Sequence, residues 1–506
     1  MNKLIVNNCQ LDENQQKAVE DNTHNILVIA GAGAGKTLTI LGKVKYLKEV
    51  LNYKDQEILC ISYTNETTKE LQKKLRDLNC TSPVKTFHKL AMDILKVNDA
   101  EIMIAEDNYL EKIIDTFLCE SIHKLPYLKK VFLKHFKCKF VSILTKKRYE
   151  KTLLKQKSYF IKEFSHLIHR FKTQGKTIKD LKNILFNTKE ESSSLIIFYA
   201  IYLYYETSLN KNELYDFNDL IITATQRINR MNLTYKYVIV DEYQDISLIR
   251  NGLLQALIYK TKAKLMVVGD DWQSIYAFSG SSIDVFLNFS KDYFNVATYT
   301  IDNTYRNCQQ LINVAGYFIM KNSNQISKTL KSTKSINKPF KIVFYKNKTQ
   351  DFIKLLKHVS SYGNCLVLGR NNFDIYRYLD RQQINKDNYI IIENKVVARF
   401  LTIHKSKGLE SSNVILINLE SNLYGFPNLK KCTKLSKIIL NIDDKQNLLE
   451  ERRLFYVALT RSKNNVYFYL NKYNMSSFIK ELMNDYPELL ERISINDDKT
   501  NYKVKK

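Results

Sequence analysis

Residues 28–40 read VIAGAGAGKTLTI. They close an apolar run, HNILVIA (24–30), and open an apolar-periodic one, LTILGKVKYLKEVL (38–51). The first run reads as a buried parallel strand and the second as a helix. Strand, glycine-rich loop and helix in that order make a phosphate cradle, because loop N–H groups and a helix N-terminus both point at the bound oxygens. Ala30, Gly31, Ala32, Gly33, Ala34 and Gly35 form the loop. Lys36 is placed to reach β- and γ-phosphates and the Thr37 hydroxyl to ligate Mg²⁺. The usual pattern begins with glycine where this chain has Ala30; alanine is tolerated there if its φ is negative.

A second apolar strand is expected in YKYVIVDEYQD (235–245), which ends on Asp241 and Glu242. Two carboxylates at the end of a Val/Ile strand are costly to bury without a cation. A Mg²⁺–nucleotide site supplies one, with Asp241 in the metal shell and Glu242 polarising the attacking water. Two classes of nucleotide protein drop out. A GTPase needs an NKxD-like guanine reader, and NKDN at 385–388 has its Asp one place early. The LSGGQ-like signature of an ABC-type ATPase does not occur.

The bulk composition fits a large globular chain. At 506 residues it has room for about three units of the usual 100–200 residues. With 44% hydrophobic residues, 13 Gly and 5 Pro, long regular elements dominate. Lys plus Arg number 78 against 52 Asp plus Glu, a net +26, which suits a polyanionic partner or reflects an AT-rich coding bias towards Lys and Asn. The eight Cys are scattered without a CxxC, as expected of reduced thiols rather than a zinc site. There is no signal-peptide core and no apolar run of about 18 residues, so no membrane contact and a cytoplasmic location are expected.

From the cradle onward the motifs fall in the order of superfamily 1 DNA helicases, and the chain resembles the UvrD/Rep/PcrA group in blocks from about residue 11 to 470. LDENQQKAV (11–19) resembles the Q motif, which implies that Gln15 reads adenine through its two-sided amide. ILCISYTNETTKEL (58–71) and VKTFHKLA (84–91) resemble motifs Ia and Ib, implying DNA contacts by Tyr63, Thr64, Asn65, Thr86 and His88. LYDFNDLI (214–221) resembles the DFxDL block. VVGDDWQSIYAFSG (267–280) resembles motif III, with Gln273 sensing the γ-phosphate and Tyr276 and Phe278 stacking on bases, a sequence-tolerant grip. TIDNTYRN (300–307) resembles motif IV, with Tyr305 on adenine and Arg306 as an arginine finger. FLTIHKSKGLE (400–410) matches motif V, placing Thr402 and His404 on DNA and Glu410 at the nucleotide. In motif VI, EERRLFYVALTRSKNNVYFYL (450–470), Arg461 is the second finger. The catalytic set implied is therefore Lys36, Asp241, Glu242, Gln273, Arg306 and Arg461. Three positions depart from the group: Leu38 and Ser279 stand where Arg is usual, and Trp272, the single Trp, where Asp is common.

The expected fold is α/β, with two RecA-like P-loop cores built on parallel sheets and a helical insertion in the first. The first core takes 1–95 and 205–290, the insertion 96–204, the second core 291–495, and 496–506 form a loose basic tail. FKIVFY, NCLVLGR, VARFLTIH and NVILINL should be strands of the second core. The insertion is basic and aromatic, in keeping with DNA contact or with an ordinary solvated helical face. Only about 30 residues separate Arg370 from Thr402, where full-length members carry a large helical insertion. The resemblance implies an ATP- and Mg²⁺-dependent helicase or translocase, moving 3′ to 5′ on single-stranded or tailed duplex DNA in repair, replication or phage defence. The alternative is a DNA-stimulated ATPase subunit, unable to unwind alone, that serves a nuclease, repair or anti-phage partner.

Overall fold

The computed structural model describes residues 4–96, 102–121, 126–135, 146–188 and 193–494. The expected basic tail, 496–506, lies outside the described residues. Two sheets organise the chain. The first has six strands in the order Val296–Ile301, Asn25–Ala30, Lys264–Gly269, Tyr237–Val240, Ile58–Ser62 and Val84–Thr86, and every pairing is parallel. The second has seven, in the order Tyr389–Ile392, Lys395–Thr402, Cys365–Gly369, Ser411–Leu416, Ser462–Leu470, Phe340–Phe344 and Leu490–Ile493. Only its first pair is antiparallel. Helices cover both faces, so Asn25–Ala30, Tyr237–Val240 and Cys365–Gly369 are buried at every position, which explains why they read as continuous apolar runs. No helix of the described residues is long and apolar enough to cross a membrane.

The α/β class with two parallel sheets is as expected, but two expected boundaries move. Val296–Ile301, assigned to the second core by the 290/291 division, pairs in register with Asn25–Ala30 and closes the edge of the first sheet. The chain thus crosses to the second half through residues 302–308, which puts Tyr305 and Arg306 in the crossover itself. The 204/205 division cuts the helix Ser193–Lys211, which runs on without a breaking residue.

The insertion packs helices around Phe160, Phe164, Phe171, Phe198 and Tyr202. Its core also takes in Leu435, Ile439 and Leu440, from the helix Lys434–Leu440 that precedes motif VI. Lys176 donates to the Ile439 carbonyl at 2.8 Å, so the second half is strapped to the insertion.

At its other side the insertion is anchored by Lys172, buried, whose Nζ lies 2.8 Å from each of Glu206, Asp216 and Asp219. Burial alone would favour a neutral amine, but the three carboxylates hold its pKa well above the ordinary lysine range. Asp216 also caps the helix Phe217–Arg227, accepting from the Asn218 and Asp219 N–H groups. The DFxDL block is therefore the socket for a lysine from the insertion. Lys172→Met leaves these carboxylates without their cation and is expected to cost about 3–5 kcal/mol, read by denaturant unfolding.

Candidate ATP cleft and strand track

The cradle sits at the carboxyl end of Asn25–Ala30, the edge where parallel sheets bind ligands. Gly33 and Gly35 have φ of +71° and +82°, which side chains rarely adopt. A Cβ at Gly33 would lie 2.6 Å from the Cβ of Arg306, and one at Gly35 would lie 2.7 Å from Gln15 Nε2. Both glycines are thus required by strain and by close approach. The helix Lys36–Glu49 starts directly after Gly35.

Lys36 Nζ donates to both Glu242 oxygens at 2.8 Å. Burial would raise the Glu242 pKa, but Lys36, Lys407 and a hydrogen bond from Gln244 override it and hold the carboxyl low. Its neighbour Asp241 goes the other way, pushed up by burial and by the Glu242 charge. A cation beside Asp241 would relieve that strain, so its chemistry suits a divalent metal.

Across the cleft, Gln273 is held at both ends. Its Nε2 donates to Asp270 Oδ2 at 2.6 Å, and its Oε1 accepts from Arg461 Nη2 at 2.8 Å. Arg461 is buried, and its other donors go to the Val457 and Leu409 carbonyls and to Thr460 Oγ1. Among the described residues no carboxylate forms an ion pair with it. Burial, with the Arg306 charge beside it, lowers its pKa to about 9. A buried guanidinium without an ion-paired carboxylate among the described residues, with Glu242 and Asp270 acting on it only from a distance, suits an anion. Arg306 donates from Nε to Glu410 at 2.8 Å, and Glu410 also pairs with Lys463. Glu410 therefore reaches the cleft as the partner of Arg306.

Sequence reasoning missed Lys328. Fully buried, it donates to Asp270 at 2.6 Å and Asp271 at 2.7 Å, and its Nζ lies 3.4 Å from the Ala30 carbonyl. It thus fixes the aspartate that orients Gln273. Nothing in QISKTL (325–330) marks it, because its partners are brought to it only by the tertiary fold. Trp272 shares this seam: its Nε1 donates to the Ile326 carbonyl at 2.9 Å, its ring meets Tyr456 edge-on, and Lys328 Nζ lies 4.5 Å from its centroid. Lys407 joins the same seam: it donates to Asp245 and, at 2.8 Å, to the Gln273 carbonyl.

Gln15, expected at the adenine, has its amide engaged within the protein in this structure. Its side chain is fully buried, its Nε2 donates to the Ala34 carbonyl at 3.1 Å, and its Oε1 accepts from the Asp12 N–H at 3.0 Å. Both ends serve the helix cap and the phosphate loop. The open pocket beside the exposed Tyr305 is lined instead by Gln10, Leu11, Asp12 and Gln16. Thr37 is half-buried, and Leu38 packs against the core of the first sheet.

Of the expected strand contacts, Tyr63, Thr64, Asn65, Thr86 and His88 lie at or just after the ends of Ile58–Ser62 and Val84–Thr86 in the first sheet, and Thr402 and His404 at the end of Lys395–Thr402 in the second. Thr64 and Thr86 are helix N-caps, accepting from the Thr67 and Lys89 N–H groups, so their hydroxyls are engaged locally. Each cap leaves a helix N-terminus at the end of an adjacent parallel strand, with Asn65 exposed in the first turn. Thr402 is buried and its hydroxyl accepts from Lys405 N–H. Tyr276 is stacked on Tyr63, centroids 5.6 Å apart and planes 11° from parallel, so a base enters that stack only by separating the rings. Phe278 stands 42% exposed, edge-on to Tyr276 and to His404. Ser279 donates to the Tyr276 carbonyl, a local turn contact.

His88 and His404 are held at about 4 and about 3, chiefly by burial, with Arg250 and Arg370 adding to it. Both are neutral near pH 7 in the folded chain, whereas in the unfolded chain they titrate near the usual ~6.5. The unfolded state therefore binds more protons as pH falls from about 6.5 towards 4, and stability drops over that window. A His88→Gln/His404→Gln variant should lose less stability across it, as read by urea unfolding at stepped pH.

Comparison with known proteins shows the family. Residues 11–294 match the UvrD/REP helicase N-terminal domain, and residues 374–473 the UvrD-like helicase C-terminal domain. DNA helicase IV of Escherichia coli is 27% identical over 500 residues, covering 95% of this chain and 71% of its own length. The ATP-dependent DNA helicase Rep of Buchnera aphidicola is 26% identical over 446 residues, 86% of this chain and 58% of its own length. The ATP-dependent DNA helicase PcrA of Staphylococcus epidermidis is 29% identical over 392 residues, 74% of this chain and 49% of its own. The chain thus spans about half of the PcrA relative and a larger share of the others.

Proposed function

This chain belongs to the UvrD/REP helicase family, and on that premise we propose that it is an ATP-driven motor that tracks along single-stranded DNA and parts duplex ahead of it. The observation that carries the reading is Arg461: a buried guanidinium that forms no ion pair with a carboxylate among the described residues and is hydrogen-bonded to Gln273 of the opposite half. Lys36, Thr37 and the loop from Ala30 to Gly35 would hold the phosphates, Thr37 and Asp241 the Mg²⁺, and Tyr305 the adenine. Bound Mg²⁺–ATP supplies a phosphoanhydride bond whose hydrolysis releases the charge that the arginines grip. Lys36 is poised between two partners. Resting on Glu242 it suppresses that carboxylate's basicity; turned towards a phosphate, it leaves Glu242 a stronger base for orienting water. Arg306 and Arg461 draw the halves together on the same charge. Strand grip by Tyr63, Thr64, Asn65, Thr86, His88, Tyr276, Phe278, Thr402 and His404 then changes with the cleft, because motif III carries both Gln273 and Tyr276. Movement 3′ to 5′ and a role in DNA repair follow the family.

A second reading is favoured by the short path between Arg370 and Thr402, which is filled by turns and the hairpin of Tyr389–Ile392 with Lys395–Thr402. On that reading the chain is a DNA-stimulated ATPase that unwinds only with a partner.

ATP turnover should rise strongly with single-stranded DNA and fall with rising salt as phosphate contacts are screened. Lys36→Ala should abolish it, and Glu242→Gln should lower it by about 10²–10⁴-fold. Turnover indifferent to DNA would sink the motor reading. Strand displacement of a tailed duplex by the purified chain separates the two readings: product from the chain alone supports the autonomous helicase, and ATP turnover without product supports the partnered ATPase.

A further inference from the structure

The phosphate loop is held from behind by the second half of the chain, and no motif accounts for that hold. Ala30 and Ala34, near the ends of the loop, pack in the core of the first sheet. Ala32, at its tip, is fully buried in the core of the second half, in one cluster with Leu330 and Cys308. Leu330 closes on the tip so tightly that a Cβ at Gly31 would lie 2.4 Å from its Cδ2.

The carbonyls of the loop are claimed from the same side. Thr304 Oγ1 donates to the Ala32 carbonyl at 2.8 Å, and the Tyr305 N–H donates to the Gly33 carbonyl at 3.1 Å. Thr304 is buried, and the Arg306 N–H lies 3.5 Å from its hydroxyl. The Thr304 N–H donates to the Lys331 carbonyl at 2.8 Å, and the Lys331 N–H to the Asp302 carbonyl at 2.9 Å. The crossover and the segment that carries Leu330 are therefore two arms of one clasp around the loop.

The clasp has a consequence for the face that meets phosphate. In a planar trans peptide the carbonyl and the next N–H point opposite ways. Carbonyls drawn outward at Ala32 and Gly33 therefore turn the Gly33 and Ala34 N–H groups towards the cradle, where a nest of such groups binds anions. The Ala34 N–H makes a long turn bond, 3.3 Å, to the Gly31 carbonyl, which a phosphate oxygen would replace. A glycine-rich loop has many other shapes open to it, and fixing one in advance lowers the entropy cost of binding. We propose that Thr304 and Leu330 are positioning residues for the phosphate loop, through which the second half sets the affinity for the diphosphate common to ATP and ADP. The inference rests on the reading of the loop as an ATP cradle and deepens it. Arg306 and Arg461 act on the γ-phosphate and so favour ATP, whereas the clasp serves both nucleotides alike.

The test is binding of Mg²⁺ with N-methylanthraniloyl-ADP, or with a non-hydrolysable N-methylanthraniloyl-ATP analogue, to the full chain without DNA. ATP turnover on saturating single-stranded DNA is measured beside it. Thr304→Val keeps the side-chain shape and removes the donor, leaving the Ala32 carbonyl unpaired. It should weaken both nucleotides by the same factor, about 5- to 100-fold, as for a buried acceptor that loses its partner. KM for ATP should rise in step while kcat stays within about twofold, the pattern of lost uniform binding. Leu330→Ala should show the same split, and Thr304→Ser should keep wild-type binding. Unchanged or tighter binding in Thr304→Val would overturn the clasp and leave the ATP site intact. A loss confined to the ATP analogue would put Thr304 with the arginines at the γ-phosphate and overturn its role in shaping the loop. Wild-type protein that binds neither nucleotide would overturn the reading of the cradle itself.

Discussion

The cleft depends on one side-chain amide. Gln273 gives its N–H to Asp270 of its own half and its oxygen to Arg461 of the other. An amide cannot exchange those roles without losing both bonds, so its orientation is set by the carboxylate behind it. That carboxylate is fixed in turn by Lys328, which reaches in from beyond the crossover. The second half is thus registered against the first through Lys328, Asp270, Gln273 and Arg461 in series. Every group in that series is buried, so a disturbance at one end leaves an unpaired polar atom at the next. Coupling of this kind is stiff over a few ångströms.

The helicase motifs double as structural parts. Thr64 and Thr86 look like strand contacts in the sequence, and in the structure they cap helices, bringing two helix N-termini to the rim of one sheet. On the proposed function, they would meet a phosphate backbone through the N–H groups at these helix N-termini as much as through their hydroxyls. Asp216 and Asp219 belong to a recognisable block, yet their partner is Lys172 of the insertion. Function and folding draw on the same atoms, which is why the blocks stay legible in so basic a chain.

What the sequence made legible was whatever is encoded locally. The phosphate loop, the strand ending in Asp241 and Glu242, and the alternation of helices and strands follow from short-range pattern, and all stand where expected. Pairing between distant segments was not legible. Val296–Ile301 has the pattern of a strand in either sheet, and only its register with Asn25–Ala30 assigns it. Lys328 is one of many lysines until two buried aspartates surround it. Gln15 carries the residue type that could read a base, and its contacts with Asp12 and the Ala34 carbonyl join it to the phosphate loop in a way that residue type alone does not show. Leu435, Ile439 and Leu440 read as an ordinary apolar stripe of the second half, and they complete the core of the insertion.

Trp272 gives the chain a property of another kind. It is the single indole among 33 tyrosines, and it lies wedged between Lys328, Tyr456 and the backbone of Ile326, at the joint between the halves. Light absorbed selectively by indole is therefore emitted from that joint and from nowhere else in the molecule. A cation 4.5 Å from the ring and a carbonyl on its N–H tune that emission, and both come from the far side of the crossover. On the proposed function, closure of the cleft would change this surrounding and so the indole emission, without an added label.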